Sequence, residues 1–91
     1  MAAVYTMYQD GTRAAEQRVL ALCSAAKQGT QSAFYADLYY GLWAEAHGSS
    51  AAARAHLSSA GLSVYGAASG DYMWWLARVH NAVRGWPMAP T

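Results

Sequence analysis

The sequence predicts an all-α fold of antiparallel helical hairpins, on three observations. The stretch Tyr40 to Ala60 reads as two helices joined at Gly48, with small residues where their surfaces touch: Gly41 and Ala44 on the first, Ala53, Leu57 and Ala60 on the second. The same pattern of small and medium apolar residues stands about 34 positions earlier, at Val19, Cys23 and Ala26. Residues that start helices (Thr12, Thr30 to Ser32, Ser49 or Ser50, Asp71) alternate with glycines that end them.

The elements follow in chain order as one domain over residues 1–91. Val4, Tyr5, Met7 and Tyr8 give a first short helix over about 2–9, which Asp10-Gly11 ends. Thr12 caps a second helix, about 12–27, whose face is Val19, Leu22, Cys23 and Ala26 and whose end carries Lys27, Gln28 and Gly29. A third, about 32–47, is apolar nearly all round except at Asp37 and Glu45, the pattern of a helix covered on more than one side. His47 and Gly48 close it, the histidine favoured by the helix dipole and the glycine free to take a positive backbone angle. The fourth helix covers about 50–62. Gly66 to Gly70 reads as a loop of small residues. Asp71 then caps a last helix, about 71–84, with Trp75, Leu76, Val79 and Val83 at helical spacing, before Gly85-Trp86-Pro87 stops it and Met88 to Thr91 trail away as a frayed end.

The spacing of Gly41, Gly48, Ala53, Leu57 and Ala60 resembles the tetratricopeptide repeat, a helix–turn–helix unit in which small residues hold two antiparallel helices together. One clear repeat is flanked by degenerate halves: one period away, Gly41 and Gly48 correspond to Met7 and Ala14 upstream and to Trp75 and Ala82 downstream. Asp37 stands where the first helix of a repeat usually carries an aromatic residue, and no proline closes the unit near Tyr65. The resemblance implies a short right-handed solenoid of four to five helices. It also implies that Tyr35, Leu38, Leu42 and Glu45 face a concave surface used for peptide binding, continued by Tyr72, Trp75 and Val79.

Composition narrows the function classes. Four tryptophans, seven tyrosines and a phenylalanine sit in a chain that is 55% hydrophobic and only 12% charged, about half the usual charged share of about 25%. A domain of this size hides only somewhat over about 60% of its unfolded surface, so apolar surface is left for a partner, a second copy or a neighbouring repeat. A net charge of +1 with scattered basic residues gives no footprint for nucleic acid or an anionic membrane. No run reaches the roughly 18 apolar residues of a membrane span and no signal peptide is legible, so a soluble protein is expected, its compartment unknown and cytoplasmic only by default.

Catalytic chemistry finds little support. His47, His56 and His80 lack a second ligand at helical spacing, and Cys23 has no partner cysteine, so neither a metal site nor a disulfide is expected. Cys23 on an inferred seam is the usual small buried hydrophobe. Ser63 and Ser69 lack the glycines of a nucleophile elbow, and Gly66 to Gly70 lacks the lysine of a phosphate loop and is followed by Asp71, which repels an anion. The aromatic set Tyr35, Tyr39, Tyr40, Trp43, Tyr72, Trp74 and Trp75 has two readings, as core filling or as the lining of a groove. The expectation is therefore a protein without cofactor and not an enzyme, which binds a protein or peptide partner on its aromatic face. The alternative is a structural or oligomerisation element, as a homodimer or as part of a longer repeat array.

Overall fold

A computed structural model of the chain describes residues 2–25 and 30–86. These residues form six helices and no strand: α1 (Ala2–Asp10), α2 (Arg13–Ala25), α3 (Gln31–Ala46), α4 (Ser50–Gly61), α5 (Val64–Ser69) and α6 (Tyr72–Arg84). The expected end of the second helix at Lys27, Gln28 and Gly29, the stop at Pro87 and the frayed tail lie outside the described residues.

Local chemistry starts and ends most helices where the residue types predict. Thr12 Oγ1 accepts from the Ala15 amide at 3.1 Å, Thr30 Oγ1 from Ala33 at 3.3 Å, and Asp71 Oδ1 from Met73 at 2.9 Å, each satisfying an amide with no intrahelical partner. Ser49 occupies the cap position of α4, but its side chain makes no capping bond; its carbonyl receives Ala53 N–H instead. Gly48 turns the chain between α3 and α4 at φ +82°, a conformation costly for any residue with a Cβ. Gly85 ends α6 in the left-handed conformation, and the Trp86 amide folds back to the Asn81 carbonyl at 2.8 Å.

Helix α3 is the central element. It packs most extensively against α4 and also meets α1, α2 and α5, which explains a sequence apolar nearly all round: Ala33, Phe34, Ala36, Leu38, Tyr40, Gly41, Trp43 and Ala44 are all buried. At the seam, a Cβ built on Gly41 would stand 2.5 Å from Leu57 Cγ and 3.1 Å from the Leu57 backbone nitrogen. The two backbones touch there because no side chain stands between them. Ala53, Leu57 and Ala60, all fully buried, supply the facing surface of α4.

The stretch expected to be a loop, Gly66 to Gly70, is mostly helix. Ser63 Oγ accepts from Gly66 N–H and starts the six-residue α5, which Gly70 ends at φ +68°. Six residues rich in Gly, Ala and Ser are too few to show a helical period, and the helix owes its stability to tertiary contact. That contact is Trp74 of α6, whose ring lies where a Cβ on Gly66 would be and whose Nε1 donates to the Gly61 carbonyl at 3.0 Å. Gly61 is thus the buried last residue of α4, with Leu62 as its C-cap.

The two readings of the aromatic set divide by residue. Tyr40, Trp43 and Trp74 are core, Tyr35 and Tyr39 are half-buried, and Tyr72 and Trp75 are exposed.

Because Gly41 and Gly66 have no room for a methyl group, Gly41→Ala and Gly66→Ala should each destabilise the fold by about 1–3 kcal/mol, as overpacked core sites do. Thermal melts of the two variants check this, and melting temperatures equal to wild type would show that the close approaches do not form.

Candidate functional site

The seven residues that the repeat resemblance singled out do not share one face. Tyr35 lies beside Tyr39 on α3, their rings stacked with centroids 5.8 Å apart, and its hydroxyl donates to Asp71 Oδ2 at 2.5 Å. Tyr65 of α5 donates to the same oxygen at 2.9 Å. One carboxylate therefore caps α6 and ties it to α3 and α5. Leu38 and Leu42 line a hollow of about 240 Å³ between α3 and α6, together with Met73, Leu76, Ala77 and His80. Glu45 closes off as an ion-pair partner, with His80 Nε2 at 2.5 Å and Arg84 on its other oxygen. It clasps the end of α6 to α3 instead of facing a ligand.

Tyr72, Trp75 and Val79 lie on the opposite, outward side of α6. With Leu76 and Val83 they form a stripe about 100° wide at helical spacing, each residue between 41% and 81% exposed. Arg78 and Arg84 flank this stripe on either side, and the Arg78 guanidinium stacks over the Trp74 and Trp75 rings at 4.7 and 5.6 Å. Residues 72–84 thus carry two apolar faces: Trp74 and Ala77 turned inward, and the stripe turned outward. A second apolar hollow, lined by Val4, Tyr5, Tyr8 and Tyr39, opens between α1 and α3.

The fold also assembles a polar cluster that sequence spacing did not predict. Cys23 of α2, Asp37 of α3 and His56 of α4 place one ligand-type atom each within 4.8 Å of one another, and His56 Nδ1 lies 2.8 Å from Asp37 Oδ1. No pair among them is close in sequence, so a search for ligands at helical spacing passes over them. The Tyr40 ring packs edge-on against His56 with centroids 4.6 Å apart, and its hydroxyl donates to Glu16 Oε2 at 2.7 Å. Burial pushes the Cys23 thiol up to about 12, helped by the charge of Asp37 and a hydrogen bond to it. A thiol held protonated in this way is a poor nucleophile at neutral pH. His47 and His80 stand apart from the cluster: His47 Nδ1 is 2.8 Å from the Trp43 carbonyl, and His80 faces Glu45.

No protein-family model, no curated protein and no solved structure matches the chain.

Two titrations follow from these contacts. The hydrogen bond to Asp71, then burial, raises the Tyr35 hydroxyl from 10.0 to about 12, and burial, then the bond to Glu16, does the same to Tyr40. A group raised on folding contributes stability that is intact below its ordinary value and lost as pH rises through the folded one. Absorbance titration of tyrosinate should accordingly resolve a late-ionising set near pH 12, from which Tyr35→Phe removes one group. Asp71 is held below its ordinary 3.8, first by Tyr35 and then by the Met73 amide, so its contribution is present above the ordinary carboxylate range and lost as pH falls through the lowered value. Thiol alkylation gives a separate check. Cys23 should label at near-background rate in the folded protein and at the rate of a free thiol in denaturant, and equal rates would contradict its burial.

Proposed function

We propose that this chain is a non-catalytic protein-interaction module, a short tetratricopeptide-like helical stack whose open end takes an amphipathic helix of a partner protein. The observation that carries the reading is the outward stripe of α6, compared with the same positions on α3. Both helices follow a side-chain cap, Thr30 or Asp71, and begin at Gln31 and Tyr72, an offset of 41 residues in place of the period of about 34 that pairs Gly41 with Trp75. At that offset Ala33, Ala36 and Tyr40 correspond to Trp74, Ala77 and Asn81, and all six are buried. Each set reaches back to the preceding long helix: Tyr40 bonds to Glu16 of α2, and Asn81 Nδ2 donates to the Leu57 carbonyl of α4 at 2.8 Å.

The other side of the two helices differs. Phe34, Leu38 and Gly41 are buried on α3, where Gly41 meets Leu57 of α4, whereas their counterparts Trp75, Val79 and Ala82 are exposed on α6. Helix α6 thus presents outward the kind of face that α3 buries among its neighbours, small residue included, with no other described helix upon it. An apolar stripe of this breadth is the receptor half of a helix–helix contact. Trp75 and Tyr72 are suited to anchor it because they bring large area with few rotors. Arg78 at its margin favours a partner helix with acidic residues beside its apolar stripe, Arg84 being already paired with Glu45.

Successive packing supports the stacked arrangement: α1 against α2, α2 against α3, α3 against α4 and α4 against α6. The sites named by the resemblance therefore serve unequally in this proposal. Tyr72, Trp75 and Val79 are contact residues, Leu38 and Leu42 line the neighbouring hollow, and Tyr35 and Glu45 hold α6 in place.

Trp75→Ala and Val79→Lys test the proposal. Both should keep wild-type helicity and lose less than about 1.5 kcal/mol of stability, since more than half of each side chain is already exposed. Both should weaken binding to a panel of amphipathic helical peptides with acidic flanks by about tenfold or more. A loss of about 3–5 kcal/mol on Trp75→Ala would place that ring in the core and overturn the reading. A dimeric mass that returns to monomer in Val79→Lys would identify a second copy as the occupant of the stripe.

A further inference from the structure

We propose that Cys23, Asp37 and His56 form a binding site for a thiophilic divalent cation, zinc in the first instance, that joins α2 to the α3–α4 hairpin. The donor set is one sulfur, one imidazole nitrogen and one carboxylate oxygen, each from a different helix, with all three atoms within 4.8 Å of one another. Around a tetrahedral zinc with bonds of about 2.0–2.3 Å, ligand atoms stand about 3.3–3.8 Å apart. The widest separation therefore has to close by up to about 1 Å, while His56 and Asp37, 2.8 Å apart, open by about 0.5 Å as the ion replaces their shared hydrogen.

Charge and burial favour the ion. Cys23 and Asp37 are both 8% exposed, and a polar group at such depth needs partners, which for Asp37 are the His56 ring and the Cys23 thiol. A thiolate and a carboxylate around a dication give a neutral centre. The thiol proton leaves to solvent as the sulfur–metal bond forms, and His56 binds as neutral imidazole through one ring nitrogen, its proton on the other. Nothing is oxidised or reduced. Sulfur in the set selects against magnesium and calcium, which take oxygen ligands.

A hollow of about 200 Å³ on the α3–α4 side is lined by Asp37, with Ser59 and Ser63 as its other polar residues. Of the three ligands only Asp37 lines it, and a site with three protein ligands takes water as its fourth. On the far side the Tyr40 ring packs against His56 and orients it, while Tyr40 is itself held by Glu16.

Cobalt(II) tests the site directly, because thiolate ligation gives a sulfur-to-cobalt charge-transfer band and the chain has a single cysteine. Titration of chelator-treated, full-length protein with Co²⁺ should produce that band at one ion per chain, and Zn²⁺ should abolish it by displacement. Cys23→Ser should remove the band. His56→Gln and Asp37→Asn, with folding confirmed by helicity, should weaken Zn²⁺ binding by at least about tenfold, the loss already caused when groups that merely orient a ligand are removed. Cobalt binding without the band, as at surface histidines, overturns the proposal. So does a band that needs two chains per ion, or one that His56→Gln leaves unchanged in strength and affinity. The wild-type titration decides the matter even if a variant fails to fold.

Discussion

The contact between Gly41 and Leu57 sets the geometry on which the rest of this small structure depends. With only hydrogen at Gly41, α3 and α4 approach until side chain and backbone touch, and Ala44, Ala53 and Ala60 keep the seam narrow above and below. One turn along α3 from Gly41 stands Asp37, and one residue before Leu57 on α4 stands His56. The close approach therefore brings those two polar groups within 2.8 Å, where wider helices would hold them apart. A packing device made of small residues thus also creates the polar cluster. The cluster and the hairpin cannot be varied independently, since any residue that spreads the helices also parts Asp37 from His56.

The second organising feature is the way α6 is held. Its first turn is fixed by Asp71, which accepts from Tyr35, Tyr65 and the Met73 amide, and by Trp74 wedged over Gly66; its end is fixed by Glu45 with His80 and Arg84. Three separate tethers along thirteen residues leave the helix little freedom to turn its outward stripe inward. In the proposed interaction module such rigidity would favour binding, because a face that is already ordered loses less entropy on docking.

Helices α1 to α4 and α6 were legible in the sequence because caps, glycines and apolar spacing are local signals, and their ends fall within a residue or two of the expected positions wherever the described residues allow comparison. Helix α5 was not, since its six residues carry no period of their own and the glycine that reads as a breaker is there to admit Trp74. The same limit applies to function. Spacing on α6 marked Trp75, Leu76, Val79 and Val83 as one face, but it gave no sign that Glu45 would be taken up by a histidine and an arginine from the same helix. The Cys23, Asp37 and His56 cluster escaped entirely, as its members come from three helices and meet only through packing. The one available hint was Asp37 itself, a carboxylate in the middle of a helix apolar on nearly every side, which needs a partner if it is buried.

Asn81 has a further consequence. It is fully buried between α4 and α6, and its amide donates to the Leu57 carbonyl. A leucine there would add apolar contact, yet it would fit almost equally well after a slide along the neighbouring helix, whereas an amide that must find one carbonyl accepts a single alignment. The asparagine is a pin that trades adhesion for register. Because the outward stripe is carried on the same rigid rod, that internal pin also fixes which rings reach the surface and at what height. The layout of the exterior is in this sense written inside the protein, at a residue with no exposed surface of its own.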